Sequence, residues 1–325
     1  MTSNIDIPTK TRSIDVLIFD DVNLLDVSGP VQAFSTAIVN GQKSYDVRYV
    51  SIDGRAVIAG CGLRMMPEAK LSINTLSDDL LIPGGKGVDA LMQNTAVCDI
   101  IASHLDRTPN GRVISICSGA LLLAEAGVLD GRVATTHWSR QVQTKQYSRP
   151  LWDLDQIYVA QDRVFTSAGV TTGIDLALSI IRSDCGSSVA LSVARELVVQ
   201  LRRTGGQSQF AMHLAGQFTQ EGTLTKLIEN VISAPHLDWS LDAMAQAAGM
   251  NPRTLSRHFK RDLQDTPAQF VERVRVDHAR GLIEDGIPLK KIAGASGFGD
   301  LQRMRRAFQR RFGIHISDYV KNFSS

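Results

Sequence analysis

Hydrophobic and polar positions follow one pattern twice between residues 236 and 325. In each copy, a short apolar helix is followed by a glycine and then by a second helix rich in arginine. The first copy spans 241–261 and the second spans 289–310. Each second helix carries an apolar pair four positions apart, Leu255 and Phe259 in the first and Met304 and Phe308 in the second. This pattern predicts two helix-turn-helix units in tandem, with sharp turns at Gly249 and Gly297.

The polar faces of these second helices carry side chains suited to DNA bases. Arg253 and Arg257 share a face in the first copy, and Gln302, Arg303 and Arg306 lie together in the second. Arginine matches the O6 and N7 atoms of guanine, and glutamine can pair in the same way with adenine. A single charged face of this kind more often only solvates a helix, but its repetition favours major-groove recognition.

A different pattern covers residues 14–185, where apolar strand-like runs alternate with amphipathic helices. The predicted strands cover 14–19, 45–51, 79–82, 112–116, 156–160 and 163–167, and the predicted helices cover 29–39, 96–105 and 172–183. The last two strands form a predicted hairpin. Alternation of strands and helices is typical of an α/β sandwich with a mainly parallel sheet, here of the flavodoxin-like kind.

A chain of 325 residues is long enough for two or three domains, each with its own core. The 325 residues are 43% hydrophobic and 21% charged, as in ordinary soluble proteins, and the apolar runs are too short to span a bilayer. Four cysteines show no paired spacing, and residues 1–12 do not resemble a signal peptide, so we expect a cytoplasmic protein without metal or cofactor.

The net charge of +2 is unevenly distributed. Residues 236–325 contain fifteen Lys and Arg against ten Asp and Glu, whereas residues 1–199 contain seventeen against twenty-one. A basic C-terminal region attached to a mildly acidic larger region is typical of a protein that binds nucleic acid.

The most informative stretch of the N-terminal region is the segment around Cys117. A buried strand ends at this cysteine, and a helix begins at once among small residues, which is the geometry of a nucleophile elbow. A helix N-terminus favours the thiolate, so we expect an exposed, reactive or ligand-facing thiol. The alternative is a buried structural cysteine, which we assign to Cys98 and Cys185 on their apolar helix patterns.

Residues 236–323 resemble the AraC/XylS-type DNA-binding domain. The resemblance rests on the tandem pattern, on the Gly297-Phe298 turn and on the closing segment 312–319. It implies a long helix, about 267–285, between two helix-turn-helix units that bind adjacent major-groove segments. It places base-reading positions at Arg253, Ser256, Arg257, Leu301, Gln302 and Arg306. Leu301 departs from the polar residue common there and suggests contact with a thymine methyl group.

The N-terminal region resembles the PfpI-like branch of the class I glutamine amidotransferase-like superfamily. The motifs that carry this resemblance occur in order at 24–30, 82–85, 114–127, 135–138 and 166–176. Together the two regions resemble a GlxA-type transcriptional regulator, and the segment 205–210 is typical of that group. We therefore predict a sensor domain at 13–200, a linker at 201–222 and a DNA-binding domain at 223–323.

The resemblance also implies roles for the residues around the elbow. Cys117 corresponds to the nucleophile of the enzymatic relatives, which include isonitrile hydratases, and Asp26 to a carboxylate that helps transfer protons. Backbone N–H groups near Gly85 and Ser118 would form an oxyanion hole. His137 would approach the same pocket or pack beside Trp138. The protease branch has histidine immediately after the cysteine, so Ser118 argues against peptidase activity.

Two hypotheses follow. The first is a DNA-binding transcriptional activator whose former enzyme domain binds a small effector near Asp26, Gly85, Cys117, Ser118 and His137. The second is a cysteine-dependent hydratase or amidase that carries a DNA-binding domain. The tandem units favour the first. Under it, the resemblance implies double-stranded DNA, RNA polymerase, a second copy of the chain and an amino acid or small amine as partners, with no membrane.

Overall fold

The computed structural model describes residues 11–74, 77–199, 222–263, 265–284, 286–312 and 315–323. The chain divides into two compact units, with the division after residue 203. We call them the N-terminal and C-terminal domains. The predicted linker, apart from residue 222, and the segment 205–210 lie outside the described residues.

The N-terminal domain is built on one seven-stranded sheet with three small two-stranded additions. In chain order the strands are β1 (Arg12–Leu17), β2 (Ile38–Val39), β3 (Gln42–Lys43), β4 (Tyr45–Ser51), β5 (Val57–Ile58), β6 (Arg64–Met65), β7 (Ala69–Lys70), β8 (Asp79–Ile82), β9 (Arg112–Ile116), β10 (Val133–Ala134), β11 (Leu151–Trp152), β12 (Tyr158–Gln161) and β13 (Val164–Ser167). The order across the large sheet is β12-β13-β9-β8-β1-β4-β7.

All neighbours in the large sheet are parallel except β12 and β13, which form the antiparallel hairpin at one edge. The central strands β8 and β9 are buried along their whole length, because helices cover both faces of a parallel sheet. The predicted α/β fold with a mainly parallel sheet is confirmed. Since parallel strands end at the same edge, the carboxyl ends of β8, β9 and β13 meet near Cys117.

The helices of this domain pack on the sheet. They are α1 (Leu24–Thr36), α2 (Val88–Leu91), α3 (Thr95–Arg107), α4 (Gly119–Glu125), α5 (Gln141–Thr144), α6 (Thr172–Cys185) and α7 (Ser187–Glu196), with a short 3₁₀ turn at Trp138–Arg140. The prediction that the first helix begins at residue 29 was wrong, because Asn23 caps the backbone N–H of Leu25 and starts the helix at Leu24. Asp26 therefore lies in the first helical turn rather than in a loop.

A buried ion network joins the amino ends of three strands, at the opposite edge from Cys117. Asp79 is fully buried and receives hydrogen bonds from the guanidinium groups of Arg12 and Arg112. Arg112 also binds Asp184, which in turn accepts a 2.7 Å hydrogen bond from the hydroxyl of Tyr45. This network ties β1, β8 and β9 to α6 and does not involve the carboxyl edge of the sheet, where Cys117 lies.

The C-terminal domain is helical throughout its described part. Its helices are α8 (Gly222–Ser233), α9 (Leu241–Ala247), α10 (Pro252–Leu263), α11 (Pro267–Glu284), α12 (Leu289–Ala295), α13 (Leu301–Phe312) and α14 (Ile316–Phe323). Helices α9 and α10 form the first predicted helix-turn-helix unit, α12 and α13 form the second, and α11 connects them. The turns contain Gly249 and Gly297 at φ +61° and +80°, the left-handed region that favours glycine. Within the described residues, no helix is both long and apolar enough to cross a membrane.

Candidate functional site

The elbow forms where the sequence predicts it. Strand β9 ends at Ile116, Cys117 follows with φ +57°, and α4 begins at Gly119. A positive φ is costly for a residue with a side chain, so neighbouring contacts must hold it. The backbone N–H of Cys117 donates to the carbonyl of Ser167 on β13, and its own carbonyl accepts from the hydroxyl of Thr136.

Two glycines provide the space that the cysteine side chain occupies. A Cβ atom placed on Gly84 would lie 2.6 Å from the Cβ of Cys117 and 2.7 Å from Oδ2 of Asp26. A Cβ atom on Gly169, which has φ +91°, would lie 2.2 Å from the Cβ of Cys117. Backbone approach this close is open only to glycine. The conformation of the elbow therefore depends on the turns that follow β8 and β13.

Asp26 connects the same two turns and lies against the thiol. Its carboxylate accepts a 2.6 Å hydrogen bond from the N–H of Val170 and a 3.2 Å hydrogen bond from that of Gly84. The side chain is fully buried and also makes a hydrogen bond with Cys117. Burial raises the pKa of Asp26 to about 6, while the three hydrogen bonds oppose the rise. Asp26 can therefore change its protonation state close to neutral pH.

The expectation that the thiol is exposed was wrong, whereas a reactive or ligand-facing role of the thiol stays a prediction. Cys117 is buried, and burial followed by the negative charge of Asp26 raises its pKa to about 12. The N–H of Ser118 hydrogen-bonds the sulfur and opposes this rise, but helix α4 has only seven residues. The loss of solvation outweighs the attraction of a short helix N-terminus for negative charge. In this state the nucleophilic form of Cys117 is disfavoured.

The oxyanion hole that the resemblance implies is not assembled at Gly85. The N–H of Gly85 donates a 3.0 Å hydrogen bond to the hydroxyl of Ser118, and that hydroxyl donates back to the carbonyl of Gly85. Ser118 thus holds the Gly85 turn against the elbow. Because the Gly85 N–H is already engaged, an oxyanion would accept a hydrogen bond only from the N–H of Ser118, which itself contacts the sulfur of Cys117.

His137 is half-buried, and its contacts are local. It caps the 3₁₀ turn by accepting from the N–H of Ser139, and Nδ1 lies 2.7 Å from the hydroxyl of the same serine. Its ring lies 5.3 Å from that of Trp138, which is 63% exposed. The expectation that His137 packs beside Trp138 agrees with this geometry. The adjacent residue Thr136, by contrast, contacts the elbow directly.

Arg140 is a residue of this region that the sequence patterns did not single out. One guanidinium nitrogen binds Asp89 and Gln143, and the other lies 3.4 Å from the carbonyl of Gly85. Its positive charge lowers the pKa of Cys117 and so offsets part of the rise. The only available signal was its position two residues after the 135–138 motif. Arg140 is therefore a cation beside the elbow whose charge is partly balanced by Asp89.

The second helix of each helix-turn-helix unit has the two faces that the sequence predicts. Its apolar face is fully buried, with Leu255 and Phe259 in α10 and Met304 and Phe308 in α13 at 0% exposure. Its opposite face is solvent-exposed and carries Arg253, Arg257, Gln302, Arg303 and Arg306. We call α10 and α13 the reading helices.

Two of the proposed base-reading residues are half-buried rather than exposed. Ser256 is half-buried, and its hydroxyl donates a 2.8 Å hydrogen bond to the carbonyl of Pro252 in its own helix. Leu301 is half-buried because it packs against the hydrophobic core that contains Met304 and Phe308. A contact of Leu301 with a thymine methyl group stays a prediction and would use only the exposed part of the side chain.

Comparison with known proteins identifies both domains. The model of the DJ-1/PfpI family matches residues 12–183, and a helix-turn-helix domain model matches residues 244–322. The first match covers more than half of the chain, so the protein belongs to the DJ-1/PfpI family. The predicted combination of a PfpI-like domain with a helix-turn-helix domain is confirmed.

Two kinds of relatives match this chain, transcriptional regulators and an enzyme. The HTH-type transcriptional regulator GbdR of Pseudomonas aeruginosa is 23% identical over 319 residues, which cover 96% of this chain and 86% of that protein. The regulator CdhR of the same species is 30% identical over 280 residues and covers 84% and 81%. The isonitrile hydratase of Pseudomonas putida is 33% identical over 190 residues, covering 57% of this chain and 77% of the enzyme.

The structure of DJ-1beta from Drosophila melanogaster superimposes on 59% of this chain with a TM-score of 0.53. All of that protein is covered, at 22% identity, so the likeness concerns the fold.

Proposed function

We propose that the protein is a transcriptional regulator that binds double-stranded DNA through the reading helices and a small-molecule effector through the N-terminal domain. The observation that carries this proposal is the pair of two-faced reading helices, each with a buried apolar face and an exposed arginine face. Such helices suit the major groove, because arginine discriminates guanine by two hydrogen bonds. Two relatives that cover most of this chain carry the name HTH-type transcriptional regulator.

Substitutions on the reading helices test the DNA-binding part. Arg306→Ala should cost about 1–3 kcal/mol on a specific site and relax base preference at one position. Arg257→Ala should act in the same way on the other half of the site. Arg305→Ala is the matched control, since Arg305 is exposed on α13 but is not a proposed base reader. Footprints of both test variants that match the wild type would refute the assignment of the reading helices.

The effector site that we propose is the elbow region, with Asp26, Gly85, Cys117, Ser118 and His137 at or beside it. An effector that contacts the Asp26–Cys117 pair would act on both turns that hold the pair. We further propose an amino acid or small amine as the effector, the class that the resemblance to GlxA-type regulators implies. A thermal-shift screen of amino acids and small amines on the wild type and on Cys117→Ser identifies the class. Shifts that are equal in both proteins would place the effector elsewhere.

The remaining parts of the proposal concern assembly. We propose a cytoplasmic homodimer that activates transcription with RNA polymerase. Two copies would present four reading helices to DNA and gain avidity that one chain lacks. Sedimentation of the full chain at micromolar concentration, with and without DNA, tests this. A monomer under both conditions would contradict the dimer.

A second candidate function is enzymatic, because the elbow and Asp26 occupy the positions of a nucleophile and a proton-transferring carboxylate. The similarity to an isonitrile hydratase over the N-terminal region supports it. The raised pKa of the thiol weighs against it, since the thiolate is the attacking species. Incubation with an aliphatic isonitrile, followed by the loss of its infrared band, tests this function. Turnover that Cys117→Ser abolishes would favour the enzyme.

A further inference from the structure

The two helix-turn-helix units have separate hydrophobic cores that share one helix. The first half of α11 supplies Phe270 and Val274 to the core beneath α10. The second half supplies Val276, Ala279 and Ile283 to the core beneath α13. An 18-residue helix is about 27 Å long, so the two cores lie one after the other along it. A shared helix sets the approximate direction of the two units but leaves their mutual tilt to other contacts.

The second turn glycine makes such a contact with the opposite unit. A Cβ atom placed on Gly297 would lie 2.4 Å from the carbonyl oxygen of Pro235 and 2.8 Å from the Cα of His236. Residues 235–236 lie in the loop before α9, which belongs to the first unit. The backbones of the two units therefore touch at a point where only hydrogen fits between them. Gly249 is the equivalent turn glycine of the first unit, and a Cβ atom placed on it would have no other atom within 4 Å apart from its own residue and chain neighbours.

Arg275 on α11 holds the loop that receives Gly297. Its guanidinium donates a 2.9 Å hydrogen bond to the carbonyl of Pro235 and a 2.8 Å hydrogen bond to that of Leu237. These bonds fix the loop to the shared helix, so the surface that meets Gly297 cannot retreat easily. The exposed ion pair between Glu272 and Arg310 adds a second tie between α11 and α13, of the weak kind usual at surfaces.

Beside the Gly297 contact, the two units face each other across an open groove. The groove has a volume of about 630 Å³ and is lined by residues of both units, among them Trp239, Phe298 and Arg306. Because Gly297 lies only four residues before α13, a displacement at this glycine would move the start of the second reading helix. The backbone contact at Gly297 is therefore placed to control how far apart the reading helices stand.

We infer that the contact of Gly297 with the 235–236 loop fixes the spacing between the reading helices, and thereby the spacing between the two DNA segments that the protein accepts. This inference rests on the proposed DNA binding. One base pair advances the second segment by about 3.4 Å along the axis and turns it by roughly 35° around the axis. A rigid pair of readers accepts one spacing, whereas a loosened pair binds each segment separately and loses the advantage of joint binding.

The test compares Gly297→Ala with Gly249→Ala in the full chain. Both glycines have positive φ, so both variants carry similar backbone strain, but only Gly297→Ala inserts a methyl group between the units. The dissociation constant is measured on the two-segment duplex, on the same duplex with one base pair added or removed between segments, and on duplexes with a single segment intact. The wild type should bind the native spacing best by a wide margin.

The expected result is that Gly297→Ala weakens binding to the native duplex by about tenfold or more, because joint binding is lost. Its binding to each single-segment duplex should stay within about twofold of the wild type, and its preference among spacings should flatten. Gly249→Ala should keep the wild-type spacing preference. Equal spacing profiles for the two variants would overturn the inference. So would a parallel loss on single-segment duplexes, which indicates damage to the fold of the second unit.

A second variant keeps the test decisive if Gly297→Ala does not fold. Arg275→Lys retains the positive charge and the packing of α11 but removes the paired hydrogen bonds to Pro235 and Leu237. It should flatten the spacing preference in the same direction and leave single-segment binding unchanged. Wild-type spacing selectivity in Arg275→Lys, with Gly297→Ala unfolded, would likewise overturn the inference. Absence of DNA binding by the wild type itself would instead refute the proposed function.

Discussion

Replacing Asp26 with asparagine should change how the stability of the N-terminal domain depends on pH. In the folded protein, burial raises the pKa of Asp26 from 3.8 to about 6. The folded state therefore holds the proton more tightly than the unfolded state does. The stabilisation from this proton is fully present below pH 3.8 and is lost as the pH rises through about 6. Asparagine does not titrate, so the Asp26→Asn variant does not lose stability in this way as the pH rises.

The size of the effect on unfolding free energy follows from the change in the pKa of Asp26. Two pKa units correspond to about 3 kcal/mol of unfolding free energy, and about 2 kcal/mol of that change falls between pH 4.5 and pH 8. At the acidic end the variant should be less stable than the wild type by about 1–3 kcal/mol. The two carboxyl oxygens of Asp26 accept hydrogen bonds from the N–H groups of Val170 and Gly84. In the variant, the amide nitrogen of asparagine would face one of these donors and could not accept from it. Toward pH 8 this deficit should shrink by about 2 kcal/mol.

The assay is denaturant unfolding of wild type and Asp26→Asn at pH 4.5 and pH 8, followed by tryptophan fluorescence. A Trp239→Phe background removes the tryptophan of the C-terminal domain, so that the signal comes from Trp138 and Trp152. Other titrating groups are common to both proteins and cancel in the difference. A stability gap that stays constant between the two pH values would refute the raised pKa of Asp26 and its cause.

Three further predictions concern the N-terminal domain. Iodoacetamide at pH 7.5 should label exposed Cys61 well before buried Cys117, whose pKa is raised to about 12, as peptide mapping by mass spectrometry would show. Gly169→Ala should lower the melting temperature far more than Gly127→Ala, because both have positive φ but only the first would strike the elbow. Asp79→Asn should destabilise the domain by about 1–3 kcal/mol in denaturant unfolding, since Arg12 and Arg112 lose a buried charged acceptor while Arg112 keeps Asp184.

The extent to which the sequence predicted the fold differed between its elements. Strands 79–82 and 112–116 have the predicted bounds because each is a short, fully buried run, and strand 45–51 has them because it alternates apolar and polar residues over seven positions. The start of α1 was misplaced, since Gly29 and Pro30 usually mark a helix end or start, whereas the Asn23 cap lies well before them. The order of the strands across the sheet requires contacts between distant segments, which no local pattern contains.

At the candidate site, the sequence located the residues but not their electrostatics. The small residues after β9 predicted the elbow at Cys117, and its positive φ agrees with that geometry. Burial of the thiol depends on Gly84 and Gly169, which approach it from two other strands. The raised pKa is therefore a property of the tertiary packing. Arg140 was missed for the same reason, because its importance lies in its distance to the Gly85 turn.

The state of the elbow bears directly on the choice between sensor and enzyme. A resting enzyme of this type needs a thiolate and free oxyanion donors, but here burial raises the pKa of the thiol and the Gly85 N–H is engaged by Ser118. The same features suit a receptor. Asp26 links two turns of the site and has a pKa of about 6, so at a pH near 6 or below a cationic effector beside it would favour its ionised form. Ionisation would strengthen the hydrogen bonds that Asp26 accepts from the N–H groups of Val170 and Gly84, and so would give the proposed effector a route to the backbone around the elbow.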